Sequence, residues 1–201
     1  MPVDALPAGL HRFSLADLPR ERWRNGAGWT RAVAQRCDAD GGALLWRVSL
    51  AEIGQAAPFS RFDGMARTTV LASGGPVQLH SDGRVWDLVQ RGDMAAYPGE
   101  LALANGEPGT EALLWNVMAR RGQVSATVQV LRGHDLGAWP LPTQGHSLVW
   151  VVHGACALTG GAMPVPAHFG AAQGFGLADT SAGFSLQLRT PDTLLLHTHL
   201  V

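Results

Sequence analysis

Three apolar stretches of this chain each carry an arginine among small polar side chains. They are "LLWRVSLA" (Leu44 to Ala51), "RTTVLA" (Arg67 to Ala72) and "EALLWNVMAR" (Glu111 to Arg120). A β-strand turns successive side chains to opposite faces. In the first stretch Leu44, Trp46, Val48 and Leu50 then share one face, and Leu45, Arg47, Ser49 and Ala51 the other. Arg67, Thr69 and Leu71 stand together in the second. In the third, Asn116, Met118 and Arg120 lie opposite Trp115, Val117 and Ala119. A guanidinium fork grips a carboxylate through two parallel hydrogen bonds. Aimed inward, these rows would make an anion site. Aimed outward, they would be the solvated face of a half-buried sheet. Alternation alone leaves both readings open.

Two further stretches could border such a site. "WRNGAGWTRAVAQ" (Trp23 to Gln35) sets two tryptophans around an Asn-Gly-Ala-Gly turn, followed by an arginine. "PFSRFDGMAR" (Pro58 to Arg67) embeds Phe59 and Phe62 beside Ser60 and Arg61. It reads as a lid, or as a packed loop anchored by its phenylalanines, the second being preferred for Phe59. His197 and His199 form an HxH pair on a terminal strand, an arrangement that can hold a metal. A metal needs three or four ligands, however, and only His146 and His153 are near in sequence in that half. There is no GxSxG, P-loop or recognisable Cys-His arrangement. Asp63, Asp82, Asp87 and Asp93 sit beside glycine or in turns, where aspartate serves the backbone.

The elements that must position these residues are short strands. Glycine and proline punctuate the whole chain, and the best helical candidate, "SLADLPRERW", is cut to a short turn after Ser14 by Pro19. Strand-like runs follow at regular spacing, including a hairpin around Asp82-Gly83, which points to sandwiches or barrels. The pattern also repeats. "TTVLASGGPVQL" matches "LVWVVHGACAL" in plan, "RGDMAAYPG" matches "AAQGFGLAD", and "EALLWNVMA" matches "DTLLLHTHL". Two β units of similar plan are expected, the first running to about Gly122 and the second from about Gln123.

Bulk composition narrows the function. The 201 residues, 46% hydrophobic, can bury a core without disulfides, and Cys37 and Cys156 read as reduced thiols of a cytoplasmic protein. A net charge of −1 with no basic run longer than two residues argues against nucleic-acid binding. No signal peptide and no apolar run of membrane-spanning length is visible.

In order along the chain, "WRNGAGWTR", "WRVSLAEI", "PFSRFDGMARTTVL" and "WNVMARRG" closely resemble the motifs of the HutD/Ves family of bacterial proteins. Their pattern there is W-[RK]-N-G-G-G-x-T-R/E, W-R-x-S-x-A, F-S-x-F-x-G-x-x-R and N-V-M-x-R-R-G. The match runs from about Trp23 to Gly122, and the second half agrees only in general plan. The resemblance implies an all-β bicupin, two cupin-type barrels in one chain with little helix. It also implies a small-ligand-binding or regulatory protein linked to histidine utilisation, without an established enzymatic activity. The matching positions are Asn25, Thr30, Arg47, Ser49, Ser60, Phe62, Arg67, Asn116, Met118 and Arg120. There are departures: Ala27 replaces the middle glycine, Ala32 and Ala66 stand where acidic residues are common, and Asp63 where proline is. The cupin metal motif, with its HxH, Glu and later His, is absent from the first half.

The expectation is therefore an N-terminal barrel over residues 1–122 that binds a small carboxylate metabolite, and a C-terminal barrel over 123–201. Arg47, Arg67 and Arg120 would pair with carboxylates. Asn25, Ser49, Ser60 and Asn116 would supply neutral hydrogen bonds, and Thr30 and Met118 would border the pocket. Trp29 and Phe62 would cover an apolar or planar part. No cofactor, metal, nucleic-acid or membrane partner is expected, and a homodimer is the expectation by analogy with cupins. Two rival classes are a cupin enzyme acting on such a metabolite, with His197 and His199 holding a metal, and an interaction module whose arginine row meets an acidic protein.

Overall fold

The computed structural model describes residues 9–23, 26–133, 137–161, 163–180 and 182–201. After β1 (Leu10–Ser14) come β2 (Arg20–Arg22), β3 (Trp29–Cys37), β4 (Leu44–Ile53), β5 (Ala57–Pro58) and β6 (Met65–Gly74). Next are β7 (Val77–Ser81), β8 (Arg84–Leu88), β9 (Met94–Pro98), β10 (Ala104–Asn105) and β11 (Ala112–Arg120). The remaining strands are β12 (Ala126–Arg132), β13 (Ala138–Pro140), β14 (His146–His153), β15 (Ala155–Gly160), β16 (Ala167–Gly170), β17 (Gln173–Leu177), β18 (Phe184–Leu188) and β19 (Leu194–Leu200). No helix occurs among the described residues, and none is long and apolar enough to cross a membrane. The helical candidate is a tight turn, in which the Ser14 hydroxyl donates to the Asp17 carboxylate at 2.6 Å.

The chain divides into two compact units. One is Leu18–Ala126, and the other joins the N-terminal segment through Asp17 to Thr127–Val201. In the first unit a sheet ordered β2-β3-β4-β11-β6-β9 accompanies one ordered β5-β10-β7-β8. In the second, β1-β17-β14-β19-β12 accompanies β13-β18-β15-β16. The repeat is visible strand for strand. The run β4-β11-β6-β9 corresponds to β12-β19-β14-β17, and β5-β10-β7-β8 to β13-β18-β15-β16. The hairpin is also where the turn residues put it: Asp82 and Gly83 have φ of 45° and 76° between the paired Ser81 and Arg84, as a two-residue hairpin loop needs.

Sequence reasoning leaves the N-terminal residues with the first barrel, and the structure differs. β1 pairs antiparallel with β17, from Leu10 opposite Leu177 to Ser14 opposite Gln173. The reason is local to "QGFGL". Gly174 and Gly176 present no side chains on one face, and there the Phe13 ring and the His11 imidazole lie across the strand. Phe13 then stacks on Trp150, with ring centroids 5.9 Å apart.

The first unit has an inner core of Leu71, Leu79, Leu88, Leu103 and Leu114, with Phe59 and Tyr97 at its edge. The central strands β4, β6 and β11 are buried on both faces: Trp115 is 0% exposed and its neighbour Asn116 only 5%. Each fully buried large apolar side chain contributes about 1.5–3 kcal/mol.

A Cβ at Gly174 would lie 2.3 Å from the Val149 carbonyl oxygen and 2.5 Å from the Phe13 ring. Gly174→Ala is therefore expected to loosen β1 and destabilise the protein by roughly 1–3 kcal/mol. Urea unfolding followed by tryptophan fluorescence measures this, and an unchanged midpoint would mean that β1 contributes little to the second unit.

Candidate functional site

Strand register in the first unit stacks its inward side chains in layers. Met118 on β11 pairs with Arg47 on one side and with Arg67 on the other, and Arg67 pairs in turn with Tyr97. One layer deeper, Asn116 pairs with Ser49 and Thr69. Deeper still, Leu114 sits between Ala51 and Leu71, with Thr30 beyond Ala51. The wall thus grades from cationic to neutral polar to apolar. It bounds a cavity of about 450 Å³.

Eight residues expected from sequence line this cavity: Thr30, Arg47, Ser49, Ser60, Phe62, Arg67, Asn116 and Met118. Asn25 lies outside the described residues. Two expectations are corrected. Trp29 is next to Thr30 on β3, so when Thr30 faces the cavity Trp29 must face away. It lies beneath the guanidiniums of Arg20 and Arg22, at 4.5 and 5.6 Å from the ring centre. Arg120 closes the end of β11, beyond the rim, where its Nε donates to the Leu44 carbonyl at 2.9 Å. Neither lines the cavity. Sequence reasoning also missed Glu21, Arg22, Trp23, Ala51, Phe59 and Arg61, all of which do. Trp23 takes the place expected for Trp29. Its Nε1 donates to Thr30 Oγ1 at 2.7 Å, and its ring meets Phe59 at 5.5 Å. The turn after it reverses at Gly26, with φ of 74°, and Ala27 has no positive φ, so alanine there carries no left-handed strain.

Arg67 dominates the electrostatics. It is 7% exposed, and burial pushes its pKa below the usual arginine value while nearby Tyr97 opposes that. A guanidinium nevertheless stays charged in proteins. Its Nη1 donates to the Ser60 carbonyl at 3.0 Å, and the rings of Phe59, Phe62 and Tyr97 lie 5.7, 5.6 and 5.3 Å from its central carbon. No carboxylate among the described residues pairs with it, and its buried Nε has no hydrogen-bond partner. Arg47 resembles it: its Nε is buried and unpartnered, and among the described residues its ion pair is with Glu21, at 3.4 Å.

The neutral layer is set to donate. Thr69 Oγ1 gives its single proton to Asn116 Oδ1 at 2.6 Å, so the Tyr97 hydroxyl, 2.7 Å away, must donate to Thr69. That relay places a hydrogen bond on the carbonyl oxygen of Asn116, whose side chain lines the cavity. Thr30, accepting from Trp23, keeps its hydroxyl proton available.

The Pro58–Arg67 stretch is a packed loop and not a lid. Phe59 and Phe62 amides donate to Leu103 and Gly99 carbonyls, both at 2.8 Å. The Glu100 carboxylate accepts from the Gly64 amide and from Arg121, and Arg61 Nε donates to the Glu100 carbonyl. Hydrogen bonds from Arg121 first, then from backbone amides, hold the Glu100 carboxyl down at about 2.

In the second unit, His197 and His199 occupy the β19 positions that correspond to Asn116 and Met118 on β11. His197 is 1% exposed and lies 3.1 Å from Ser147 Oγ through Nε2, while its buried Nδ1 has no partner. His199 Nε2 meets the Gln144 carbonyl. His146 and His153 sit at opposite ends of β14, and His153 pairs with Asp192. No group of three or more His, Cys, Asp or Glu poised for a metal occurs among the described residues. The first cavity does not fit a metal ion, because Glu21 is the one anionic side chain among its described lining residues and the other charged ones are arginines.

Comparison with known proteins agrees with this architecture. The HutD family model matches residues 15–196. Protein Ves from Citrobacter koseri is 30% identical over 158 residues, 72% of this chain and 81% of that protein. Protein Ves from Escherichia fergusonii is 31% identical over 119 residues, which span 59% of this chain and 62% of the relative's length. An uncharacterized 21.2 kDa protein from the hutC 3′ region of Pseudomonas putida is 31% identical over 84 residues, 42% of this chain and 44% of that protein. Among solved structures, a conserved protein of unknown function from Pseudomonas aeruginosa PAO1 has a TM-score of 0.82 at 22% identity, covering 95% of this chain and 98% of that one. HutD from Pseudomonas fluorescens SBW25, in a formate condition, has 0.78 at 19% identity, covering 96% and 98%. The Lactobacillus farciminis oxalate decarboxylase formate complex has 0.62 at 10% identity, covering 94% and 87%. Likenesses at such identities speak for the fold alone: an all-β bicupin of two cupin-type units.

His197 also sets an acid limit. Burial first, and the charge of His199 second, lower its pKa from 6.5 to about 4. The unfolded chain takes up this proton near pH 6.5 and the folded one does not, so stability is full above pH 6.5 and falls as pH drops toward 4. The loss is roughly 3 kcal/mol for a shift of this size. Unfolding midpoints measured between pH 7.5 and 4 should drop along this limb, and His197→Asn should flatten it.

Proposed function

The chain belongs to the HutD/Ves family, and from that premise we propose that its first barrel captures a small anionic metabolite carrying a carboxylate, as a sensor in the cytoplasm and not as a catalyst. The observation that carries this reading is Arg67, a buried guanidinium with an unpartnered Nε and no carboxylate counterion among the described residues. A buried cation without a partner is costly. A ligand carboxylate would supply the missing charge. The cavity volume of about 450 Å³ suits a small metabolite, and the deeper apolar layer with Phe59 and Phe62 suits a short hydrocarbon or planar part.

A sensing role fits the lining better than catalysis does. Its polar groups donate, and the one carboxylate among the lining residues, Glu21, is engaged with Arg47. An interaction module calls for a flat, exposed arginine row, whereas Arg47 and Arg67 line a cavity. The name HutD, and the P. putida relative described by its place beside hutC, favour acids of histidine utilisation as first probes. The free thiols Cys37 and Cys156 suit a reducing compartment.

A thermal-shift panel of urocanate, formiminoglutamate, formylglutamate, glutamate and histidine tests this reading. A ligand at a hundred times its Kd stabilises by about 2.7 kcal/mol, which raises the melting temperature of a chain this size by roughly 5–10 °C. At least one acid should do so in the wild type and lose its effect in Arg67→Ala, with far-UV circular dichroism checking that the variant folds. No shift from any acid, or the same shift in folded Arg67→Ala, contradicts the reading.

A further inference from the structure

Glu21 is the one carboxylate among the described residues that line the cavity. It reaches the mouth because of the short edge strand "RER". Glu21 pairs with Thr30, which faces the cavity, while Arg20 turns to the other face over Trp29 and Arg22, also near Trp29, borders the cavity. Arg20 is further tied to Glu52, which also holds Arg31, so the strand that presents Glu21 is anchored from behind. The pair that Glu21 makes is poor. One oxygen meets one terminal nitrogen of Arg47 at 3.4 Å, and the Glu21 side chain is 58% exposed. The Arg47 Nε, buried, finds no acceptor.

Across the rim the same deficit recurs at Arg67. Both arginines pair with Met118 from opposite sides, so their Cα atoms stand two strand spacings apart, about 10 Å. Two guanidiniums thus flank one side chain, each with an unused Nε. One has no counterion, and the other has a weak internal one. Resting on the reading of this cavity as an anion site, we propose that its ligand is a dicarboxylate bridging Arg67 and Arg47, and that Glu21 is a built-in competitor which the outer carboxylate displaces. A monocarboxylate is satisfied at Arg67 and leaves Glu21 in place. A dicarboxylate gains the fork of Arg47 only by removing Glu21 from it. Glu21 thereby shields Arg47 in the free protein and sets the selectivity between the two ligand classes.

Isothermal titration calorimetry tests this with succinate and glutarate against butyrate and valerate, on the wild type, Glu21→Gln and Arg47→Ala. The second charged fork should make the dicarboxylates bind roughly tenfold tighter or more in the wild type. Glu21→Gln should tighten the dicarboxylates by roughly threefold, the scale of an exposed ion pair, and leave the monocarboxylates within about twofold. Arg47→Ala should bring the dicarboxylates down to the monocarboxylate level. The proposal is overturned if Glu21→Gln moves both series alike, leaves both unchanged or weakens the dicarboxylates. It is overturned equally if both series bind the wild type with one affinity, in which case the anion site itself stands. Binding of neither series to any of the three proteins removes the anion site and the bridge together.

Discussion

A buried guanidinium without a carboxylate partner among the described residues is the constraint around which the cavity of the first unit is arranged. Arg67 sits near the start of β6 with its side chain buried, and everything that touches it compensates only in part. Three aromatic rings offer their faces, and a single carbonyl accepts one of its protons. Each is a real but modest attraction. Around it the loop carrying Phe59, Ser60 and Phe62 is tied at both ends by backbone hydrogen bonds and by Glu100. The cavity is therefore preformed and its donors already aimed, which reduces what a ligand must order on binding.

The same strand plan appears twice with different chemistry at its mouth. The first unit carries Arg67, Asn116 and Met118 where the second carries Ser147, His197 and His199, on strands of matching order. Below that layer both units become apolar. The two units therefore differ in one layer of side chains above cores of similar plan, as expected when a fold hosts a site and does not dictate it.

Much of that layer was legible in the sequence, because strand parity is a strict rule. Arg47 with Ser49, Arg67 with Thr69, and Asn116 with Met118 follow from alternation alone. Which face turned inward was not legible, since burial on both faces erases the contrast between polar and apolar sides. Trp29 and Thr30 were both assigned to the pocket although neighbours on a strand cannot both face it, and the true aromatic wall is Trp23. Arg120 obeys the parity of Met118 but lies past the rim, and the sequence carries no mark of where the rim falls. Glu21 stands on a strand of three residues, too short to show a period, and only its pairing with Thr30 reveals its direction. The second unit's claim on β1 depends on the glycines of β17, some 160 residues downstream on the scale of chain separation, and no local pattern announces such a pairing.

If Arg67 is retained for a ligand and not for the fold, its charge should be dispensable in the free protein. The most direct measurement is the unfolding free energy of Arg67→Met without ligand, by urea denaturation, since methionine keeps much of the volume and needs no acceptor. A ligand role for Arg67 predicts stability equal to or above wild type, as when buried ionic groups are replaced by apolar ones of similar size. A loss of more than about 2 kcal/mol would contradict it and make Arg67 a structural member of the barrel.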